Sequence, residues 1–213
     1  RFDGEVSLQV GYDYLLSFPE GYDGDTSKVW PLIVFLHGSG ERGDDVQKVK
    51  VHGPPKLVDG GKELGAIVAA PQAKSGTIWD PHAVKALTDM LAGEHRVDTD
   101  RIYLTGLSMG GFGTWDTALE YPDTYAAIAP ICGGAGVRFI MAERIKHLPV
   151  WIFHGDEDKS VPVEHSLKME KALKKAGGNV KLTVYPGVGH DSWTRTYEDM
   201  AFWEWLMAQR RGA

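Results

Sequence analysis

Short apolar runs alternate with amphipathic stretches along most of the chain, and this pattern constrains the fold more than any other feature of the sequence. Most of the runs are continuously apolar, as in strands buried on both faces, whereas the stretches between them repeat with helical periodicity. The pattern predicts strands at residues 12–18, 31–37, 66–71, 101–105, 126–131, 149–154 and 180–185, and helices at residues 81–95, 110–120, 163–175 and 196–209. This order predicts an α/β fold with a mainly parallel sheet and helices on both faces. Ligand sites in such sheets gather at the carboxyl ends of the strands, so the informative residues are expected just after the apolar runs.

The length and composition fit one folded domain. The chain has 213 residues and shows no repeat, low-complexity tract or linker-like shift in composition, so we expect a single domain over residues 1–213. Hydrophobic residues make up 43% of the chain and charged residues 24%, which excludes disorder as the dominant state. The single cysteine, Cys132, excludes an internal disulfide framework and an all-cysteine metal site.

Charge and hydropathy argue against two classes of partner. A formal net charge of −6 disfavours non-specific binding to nucleic acid and docking on an anionic membrane surface. No run approaches the roughly 18 apolar residues of a membrane-spanning helix. The chain begins Arg1-Phe2-Asp3, without a methionine or an apolar signal region, which indicates a shortened or processed form. One cysteine fits either redox setting, so the sequence assigns no compartment, and it assigns no oligomeric state either.

The strongest chemical signal is a serine between a predicted strand and a predicted helix. Residues 106–110 read G-L-S-M-G directly after strand 101–105. They fit G-x-S-x-G, the nucleophile elbow, in which the serine occupies a sharp and strained turn. The flanking glycines remove side chains that would collide in that turn. Ser108 is therefore the candidate nucleophile, and the alternative is a glycine-rich turn with a functionless serine.

A serine nucleophile needs a base, and His190 is the best candidate. In this type of fold the order along the chain is serine, then an acid, then histidine, and four histidines follow Ser108. His190 lies in a glycine-containing loop between the last predicted strand and the last helix. His154 ends a buried run, which favours a structural role, and His147 and His165 fall on helical stretches where a solvated face is expected.

The acid is expected in the loop after strand 149–154, where Asp156, Glu157 and Asp158 compete. We choose Asp158, with Asp156 as the alternative. Asp156 is the first of these acids after the strand, where a carboxylate commonly accepts hydrogen bonds from the backbone N–H groups of its own turn. The spacing of the acids also resembles the start of a calcium-binding loop. The glycine and the glutamate that such a loop requires further on are missing, which excludes calcium.

Two backbone N–H groups are expected to stabilise an oxyanion. One belongs to Met109, the residue after the nucleophile, and the other to Ser39, in the glycine-rich loop after strand 31–37. Residues 38–43 of that loop, G-S-G-E-R-G, also fit the dinucleotide-binding pattern. That pattern should open a helix, whereas Pro54, Pro55 and further glycines follow here, and no acid ends the next strand. A nucleotide cofactor is therefore not expected.

Four blocks of the sequence together resemble the α/β-hydrolase family. They are residues 36–41, 106–111, 154–162 and 186–190, in the order of the family. The third block is similar to the family pattern H-G-x-x-D-x-x-V-P, which places the acid on Asp158. The G-S-G-E-R-G loop and residues 115–123 resemble the small esterases known as predicted peptidases or phospholipase/carboxylesterases, which are related to feruloyl esterases and polyhydroxybutyrate depolymerases.

The resemblance implies two-step hydrolysis of a small-molecule or polymer-linked ester through a covalent acyl-enzyme, without metal or cofactor. His190 would take the proton of Ser108, Asp158 would hold His190, and the N–H groups of Ser39 and Met109 would bind the oxyanion. The expected function is a carboxylic ester hydrolase for short or compact acyl groups. The alternatives are a feruloyl or acetylxylan type of esterase, a serine peptidase or acyltransferase with the same triad, and a catalytically inactive binding module.

Two expectations concern the substrate pocket. Trp79 and Trp193, which follow the third strand and the candidate histidine, are candidate pocket-lining residues, and packing in the core or at the surface is the alternative explanation for both. Only residues 132–148 join strands 126–131 and 149–154, where this fold usually inserts a lid. That length suffices for one short helix, expected at residues 137–147, so no large lid is predicted.

Overall fold

One seven-stranded sheet forms the centre of the molecule. The computed structural model describes residues 3–4 and 7–212, so Arg1 and Phe2, on which the expectation of a shortened N-terminus depends, lie outside the described residues. The strands are β1 (Asp13–Ser17), β2 (Trp30–Leu36), β3 (Ile67–Gln72), β4 (Val97–Leu107), β5 (Ala127–Ile131), β6 (Val150–Gly155) and β7 (Val180–Tyr185). Their order is β1-β3-β2-β4-β5-β6-β7, with β1 antiparallel to β3 and all other neighbours parallel. The predicted mainly parallel sheet is confirmed, and its architecture is that of the α/β-hydrolase fold.

Helices cover both faces of the sheet, which explains why the strands are apolar without alternation. The helices are α1 (Gly53–Asp59), α2 (Pro81–Glu94), α3 (Met109–Glu120), α4 (Glu164–Lys175), α5 (Trp193–Glu198) and α6 (Met200–Ala208). In β2, Leu32, Val34 and Leu36 pack into a cluster with α2, α3 and α4, while Ile33 and Phe35 pack into a second cluster with α5 and α6. Each β2 side chain therefore meets apolar neighbours on one face or the other.

The C-terminal helix differs from the prediction. The periodicity predicts one helix over residues 196–209, whereas the structure has α5 and α6 separated at Asp199. Asp199 has extended backbone angles, with φ −76° and ψ 121°, and its side chain accepts a hydrogen bond from the Ala201 N–H. Aspartate prefers such a capping position to a helix interior, so the helix restarts here.

The connection between β5 and β6 is short, as expected, but holds no α-helix. Residues Gly136–Ile145 form 3₁₀ turns in place of the helix predicted at 137–147. Only Ala142 and Ile145 of these residues are buried, which is too little apolar surface to anchor an α-helical stripe. Within the described residues, none of the helices has the length and hydropathy that a membrane span requires.

Candidate active site

Ser108 occupies a strained turn at the carboxyl end of β4, the central strand of the sheet. Its backbone angles, φ 53° and ψ −117°, lie in a region that residues other than glycine rarely adopt. A β-carbon at Gly106 would come within 2.5 Å of the Gly110 carbonyl oxygen, and one at Gly110 would overlap the Leu36 carbonyl oxygen. Glycine at both positions therefore lets the strand, the turn and α3 approach closely. This is the strand–turn–helix geometry that the G-x-S-x-G pattern predicts.

The structure brings the three predicted site residues into one hydrogen-bonded chain. His190 Nε2 lies 2.9 Å from Ser108 Oγ, and His190 Nδ1 lies 2.7 Å from Asp158 Oδ2. The Asp158 side chain is fully buried, and the His190 side chain is 26% exposed. An ionised carboxylate only accepts hydrogen bonds, so Nδ1 carries the proton and Nε2 presents its lone pair to the Ser108 hydroxyl. This arrangement can withdraw a proton from Ser108.

The loop after β6 holds Asp158 in the ionised form. Its Oδ1 accepts hydrogen bonds from the backbone N–H groups of Ser160 and Val161, both at 2.9 Å. Burial alone would raise the pKa of the Asp158 carboxyl, but the hydrogen bonds from His190 and from these N–H groups outweigh burial and hold the pKa below its usual value. We expected Asp156 to accept hydrogen bonds from the backbone N–H groups of its own turn, but in the structure Asp158 does so. Asp156 is exposed and instead accepts a hydrogen bond from the Gly187 N–H, which joins the two loops.

His154 forms hydrogen bonds to this loop and to α4, in agreement with its predicted structural role. Its side chain is fully buried, its Nε2 lies 2.8 Å from the Val161 carbonyl oxygen, and its Nδ1 lies 2.7 Å from Ser166 Oγ. Burial lowers the pKa of His154, although the Val161 carbonyl and Asp158 act in the opposite direction. Because His154 is neutral, it does not compete with His190 for the negative charge of Asp158.

Two backbone N–H groups beside Ser108 are free to bind an anion. Within residues 3–4 and 7–212, neither Ser39 N–H nor Met109 N–H has a hydrogen-bond acceptor. The first N–H groups of a helix are unpaired by geometry, which accounts for Met109. His37 determines the orientation of the other group, and sequence reasoning did not single it out.

His37 is buried at the end of β2. Its Nε2 accepts a hydrogen bond from the Ala73 N–H at 3.0 Å, so its Nδ1 carries the proton and donates to the Gly38 carbonyl at 2.5 Å. Burial lowers the pKa of His37 and favours this neutral form. The Gly38 carbonyl and the Ser39 N–H belong to the same trans peptide and therefore point in opposite directions. Because the carbonyl is hydrogen-bonded to the His37 imidazole, the Ser39 N–H points away from that imidazole.

An apolar cavity of about 360 Å³ opens beside Ser108 on the α3 side of the sheet. Its lining comprises Ile78, Trp79, Ser108, Met109, Phe112, Gly113 and Asp116. The residues from α3 have the spacing of one helix face. Trp79, a predicted pocket residue, lines this cavity but is 97% buried, and its indole N–H donates to the His37 carbonyl. It therefore also packs the loop that carries Ser39.

A half-buried carboxylate, Asp116, also lines that cavity, two turns along α3 from Ser108. Burial raises its pKa, and Arg138, which lies 3.2 Å from Asp116 Oδ1, partly offsets that effect. Arg138 belongs to the short connection after β5 and also pairs with Glu120. The connection is thus tied to α3 at the edge of the cavity.

Trp193, the other predicted pocket residue, does not line that cavity. Its ring packs edge to face on His190, with centroids 5.3 Å apart, and it packs against the core cluster on the face of the sheet opposite Trp79. The ring also contacts His52, with centroids 5.3 Å apart, and His52 Nε2 lies 3.8 Å from Glu41 Oε1. Sequence reasoning missed Glu41 and His52. They lie in irregular 3₁₀ turns and connecting loop, where no periodic pattern indicates which side chains meet.

The described residues offer one group of possible metal ligands, formed by Cys132, Asp158 and His190 within 4.8 Å of one another. Asp158 and His190 are already hydrogen-bonded to each other. Burial raises the pKa of the Cys132 thiol to about 12, which disfavours the thiolate that a metal ion needs. The group therefore fits a proton-transfer site better than a metal site.

Comparisons with known proteins place the chain among esterase-like hydrolases of this fold. The model of the dienelactone hydrolase family matches residues 71–201, more than half of the chain and a range that includes Ser108, Asp158 and His190. Among solved structures, a thermostable esterase is 37% identical, with a TM-score of 0.81, over 93% of this chain and 59% of that chain.

Two curated relatives are much longer proteins, and this chain matches only a small part of each. An uncharacterized secreted protein of Arthroderma benhamiae is 27% identical over 78% of this chain and 22% of its own length. The bifunctional acetylxylan esterase/xylanase XynS20E of Neocallimastix patriciarum is 30% identical over 60% of this chain and 19% of its own length. The chain thus spans about a fifth of the length of these two relatives.

Proposed function

The chain belongs to the dienelactone hydrolase family, and we propose that it is a serine carboxylesterase formed by a single α/β-hydrolase domain. The observation that carries this proposal is the unbroken chain of hydrogen bonds from Asp158 through His190 to Ser108, built on a strained nucleophile turn. A structural serine has no need of an oriented base backed by a buried carboxylate.

In the proposed reaction, Ser108 Oγ attacks the ester carbonyl carbon while His190 Nε2 takes its proton. The imidazolium then gives this proton to the leaving alcohol oxygen as the C–O bond breaks. Water attacks the acyl-enzyme with His190 again as base, which releases the acid and restores Ser108. Asp158 holds the Nδ1 proton throughout and offsets the positive charge of the imidazolium. These steps require neither a metal ion nor a cofactor.

The oxyanion of each tetrahedral intermediate would be held by the N–H groups of Ser39 and Met109. Among the described residues neither group has another acceptor, and His37 fixes the first of them before substrate binds. Because such preorganised donors need not reorient during the reaction, they stabilise the developing charge efficiently.

The cavity beside Ser108 supports a preference for short or compact acyl groups. Its walls are mostly apolar, and Asp116 lines it two turns along α3 from Ser108, so a long alkyl chain that follows this helix face would reach a carboxylate. An esterase of acylated plant polysaccharide is the second candidate, which the acetylxylan esterase/xylanase relative favours.

Covalent labelling tests the proposal directly. A fluorophosphonate ester should modify Ser108 stoichiometrically, detected as one mass increment on the peptide that contains Ser108, with parallel loss of p-nitrophenyl acetate hydrolysis. Ser108→Ala should take up no label. Ser27→Ala, which alters an exposed serine in a turn, serves as the matched control and should be labelled like the wild type. Labelling at another serine, or none in an active preparation, would rule out the assignment.

A further inference from the structure

A cluster of three polar side chains lies on the side of Ser108 opposite the apolar cavity, and the reaction above does not use it. We call Glu41, His52 and Trp193 the polar cluster. Glu41 is 91% buried, and Trp193 is partly buried. A series of contacts joins the polar cluster to His190. Trp193 packs on His190 and on His52, and His52 approaches Glu41.

Glu41 lies close to Ser108. A β-carbon placed on Gly38 would lie 2.8 Å from Leu107 Cδ1, 3.3 Å from Glu41 Oε2 and 3.7 Å from Ser108 Cβ, so Glu41 Oε2 lies no more than 7.0 Å from Ser108 Cβ. A carboxylate at that distance is within reach of a group on an ester bound to Ser108.

The polar cluster contains a hydrogen-bond acceptor and a hydrogen-bond donor that lack partners among the described residues. Within the described part of the chain, Glu41 Oε2 and Trp193 Nε1 are buried and have no hydrogen-bond partner. The His52 Nε2 to Glu41 Oε1 distance of 3.8 Å is too long for a hydrogen bond. A buried acceptor and a buried donor without partners are costly in a folded protein, and a bound polar group that pairs with both would remove this cost. A hydroxyl group, which donates once and accepts as well, matches this pair.

The chemistry at His190 indicates which half of the ester reaches the cluster. His190 Nε2 must deliver its proton to the leaving oxygen, so the alcohol half lies on the side of His190, where Trp193 packs. The acyl half then occupies the apolar cavity on the α3 side. The polar cluster therefore flanks the leaving alcohol.

We propose that the polar cluster is a binding subsite for a free hydroxyl on the leaving alcohol, so that the preferred substrates are monoesters of diols and polyols rather than esters of simple alkanols. The hydroxyl donates to Glu41 and accepts from the N–H of Trp193 or His52. This inference rests on the proposed esterase function and deepens it, because it names the alcohol class.

Matched acetate esters test the subsite. 2-Hydroxyethyl acetate and n-propyl acetate differ only by exchange of a hydroxyl for a methyl group, and 2-methoxyethyl acetate keeps an acceptor but cannot donate. We expect kcat/KM for the hydroxyethyl ester to exceed that for the other two by at least about 10-fold, since a donor to a buried carboxylate is lost in both. p-Nitrophenyl acetate reports ester hydrolysis independently of the subsite.

Variants locate the effect. Glu41→Ala should bring the hydroxyethyl-to-propyl ratio close to one, and Trp193→Phe, which keeps an aromatic ring on His190 but removes the N–H, should lower it in the same direction. Because the readout is a ratio, partial misfolding or a displaced His190 changes both rates and cancels. Glu94→Ala, at an exposed position of α2, is the control and should keep the wild-type ratio.

The outcomes separate the subsite from the enzyme activity. A ratio near one in a wild type that hydrolyses p-nitrophenyl acetate through Ser108 would overturn the subsite and leave the esterase function standing. An unchanged high ratio in both Glu41→Ala and Trp193→Phe would also overturn it, because the preference would then arise elsewhere. Absence of hydrolysis with every ester would overturn both proposals.

Discussion

At the scale of single residues, the carboxylate of Asp158 illustrates how an environment assigns a role. Three acids occupy the loop after β6, and only Asp158 is buried, with Oδ1 bound to two backbone N–H groups and Oδ2 facing His190. Asp156 lies exposed beside Gly187, and Glu157 is exposed. The backbone bonds fix Asp158 independently of His190, so the imidazole binds to a carboxylate that is already in place.

Replacing either aspartate with asparagine separates these roles. Asp158→Asn should lower kcat by about 10⁴-fold, because an amide at this position favours the wrong tautomer of His190. Asp156→Asn keeps an acceptor oxygen for Gly187 and should change kcat less than 10-fold. Steady-state hydrolysis of p-nitrophenyl acetate by the two purified variants measures the difference, and a larger loss at position 156 would show that the other carboxylate acts on His190.

Cys132 provides a test of the local environment. Burial raises the pKa of its thiol to about 12, so the neutral thiol persists between pH 6 and pH 9 and the reactive thiolate is scarce. A disulfide reagent such as dithiobis(nitrobenzoic acid) at pH 8 should therefore label the native protein only on the time scale of unfolding, and the native protein should stay active. Fast labelling with loss of activity, at the rate seen in denaturant, would contradict the buried position.

At the scale of secondary-structure elements, the turn between β4 and α3 sets the position of the nucleophile. The turn works only because Gly106 and Gly110 let backbone segments touch, and it places Ser108 in a left-handed conformation at the start of α3. The free N–H of Met109 results from the same geometry. The element thus supplies both the proposed nucleophile and one proposed oxyanion donor.

Gly110→Ala, with Gly93→Ala in α2 for comparison, tests how closely the turn between β4 and α3 is packed. Gly110→Ala would place a methyl group on the Leu36 carbonyl oxygen, so we expect a loss of several kcal/mol in the free energy of unfolding or failure to fold. Gly93→Ala, at an open position of α2, should stabilise the protein by up to about 1 kcal/mol through helix propensity. Urea unfolding followed by circular dichroism gives both values, and equal stability of the two variants would contradict the close approach.

The same element shows what the sequence could predict. The strand, the G-x-S-x-G turn and the order serine, aspartate, histidine are local patterns or simple chain order, so the fold and the candidates Ser108 and His190 followed from them, while the family pattern favoured Asp158 over Asp156. The break of the last helix at Asp199 depends on one capping side chain within an otherwise periodic segment. The contacts of His37, Glu41 and His52 depend on irregular turns, whose geometry is determined by tertiary packing and not by sequence period.

At the scale of the whole molecule, the sheet divides the site into two unlike halves. Ser108, Asp158 and His190 come from the ends of β4, β6 and β7 and meet at one edge of the sheet. The apolar cavity lies on the face that carries α3, and Trp193 packs towards the face that carries α5 and α6. The short connection between β5 and β6 leaves two of its apolar side chains, Val137 and Ile140, exposed.

This division predicts a dependence on acyl chain length. The cavity holds about 360 Å³, Asp116 lines it, and the 3₁₀ connection is too short to extend it, so methylenes beyond the cavity stay in water and each forgoes about 0.8 kcal/mol of burial. For p-nitrophenyl esters from acetate to palmitate, kcat/KM should be highest for short chains and show no jump at the micellar threshold. A maximum at about ten carbons or more would indicate an apolar channel that the structure does not show.

The most direct test of the proposed activity is the kinetics of Ser108→Ala, His190→Ala and the double variant on p-nitrophenyl acetate, with folding checked by circular dichroism. Triad residues act as a unit, so each single variant should lose most of a roughly 10⁶-fold contribution to kcat and the double variant should be little worse than either. Wild-type turnover by folded Ser108→Ala, or losses that multiply in the double variant, would contradict a nucleophile and base acting together.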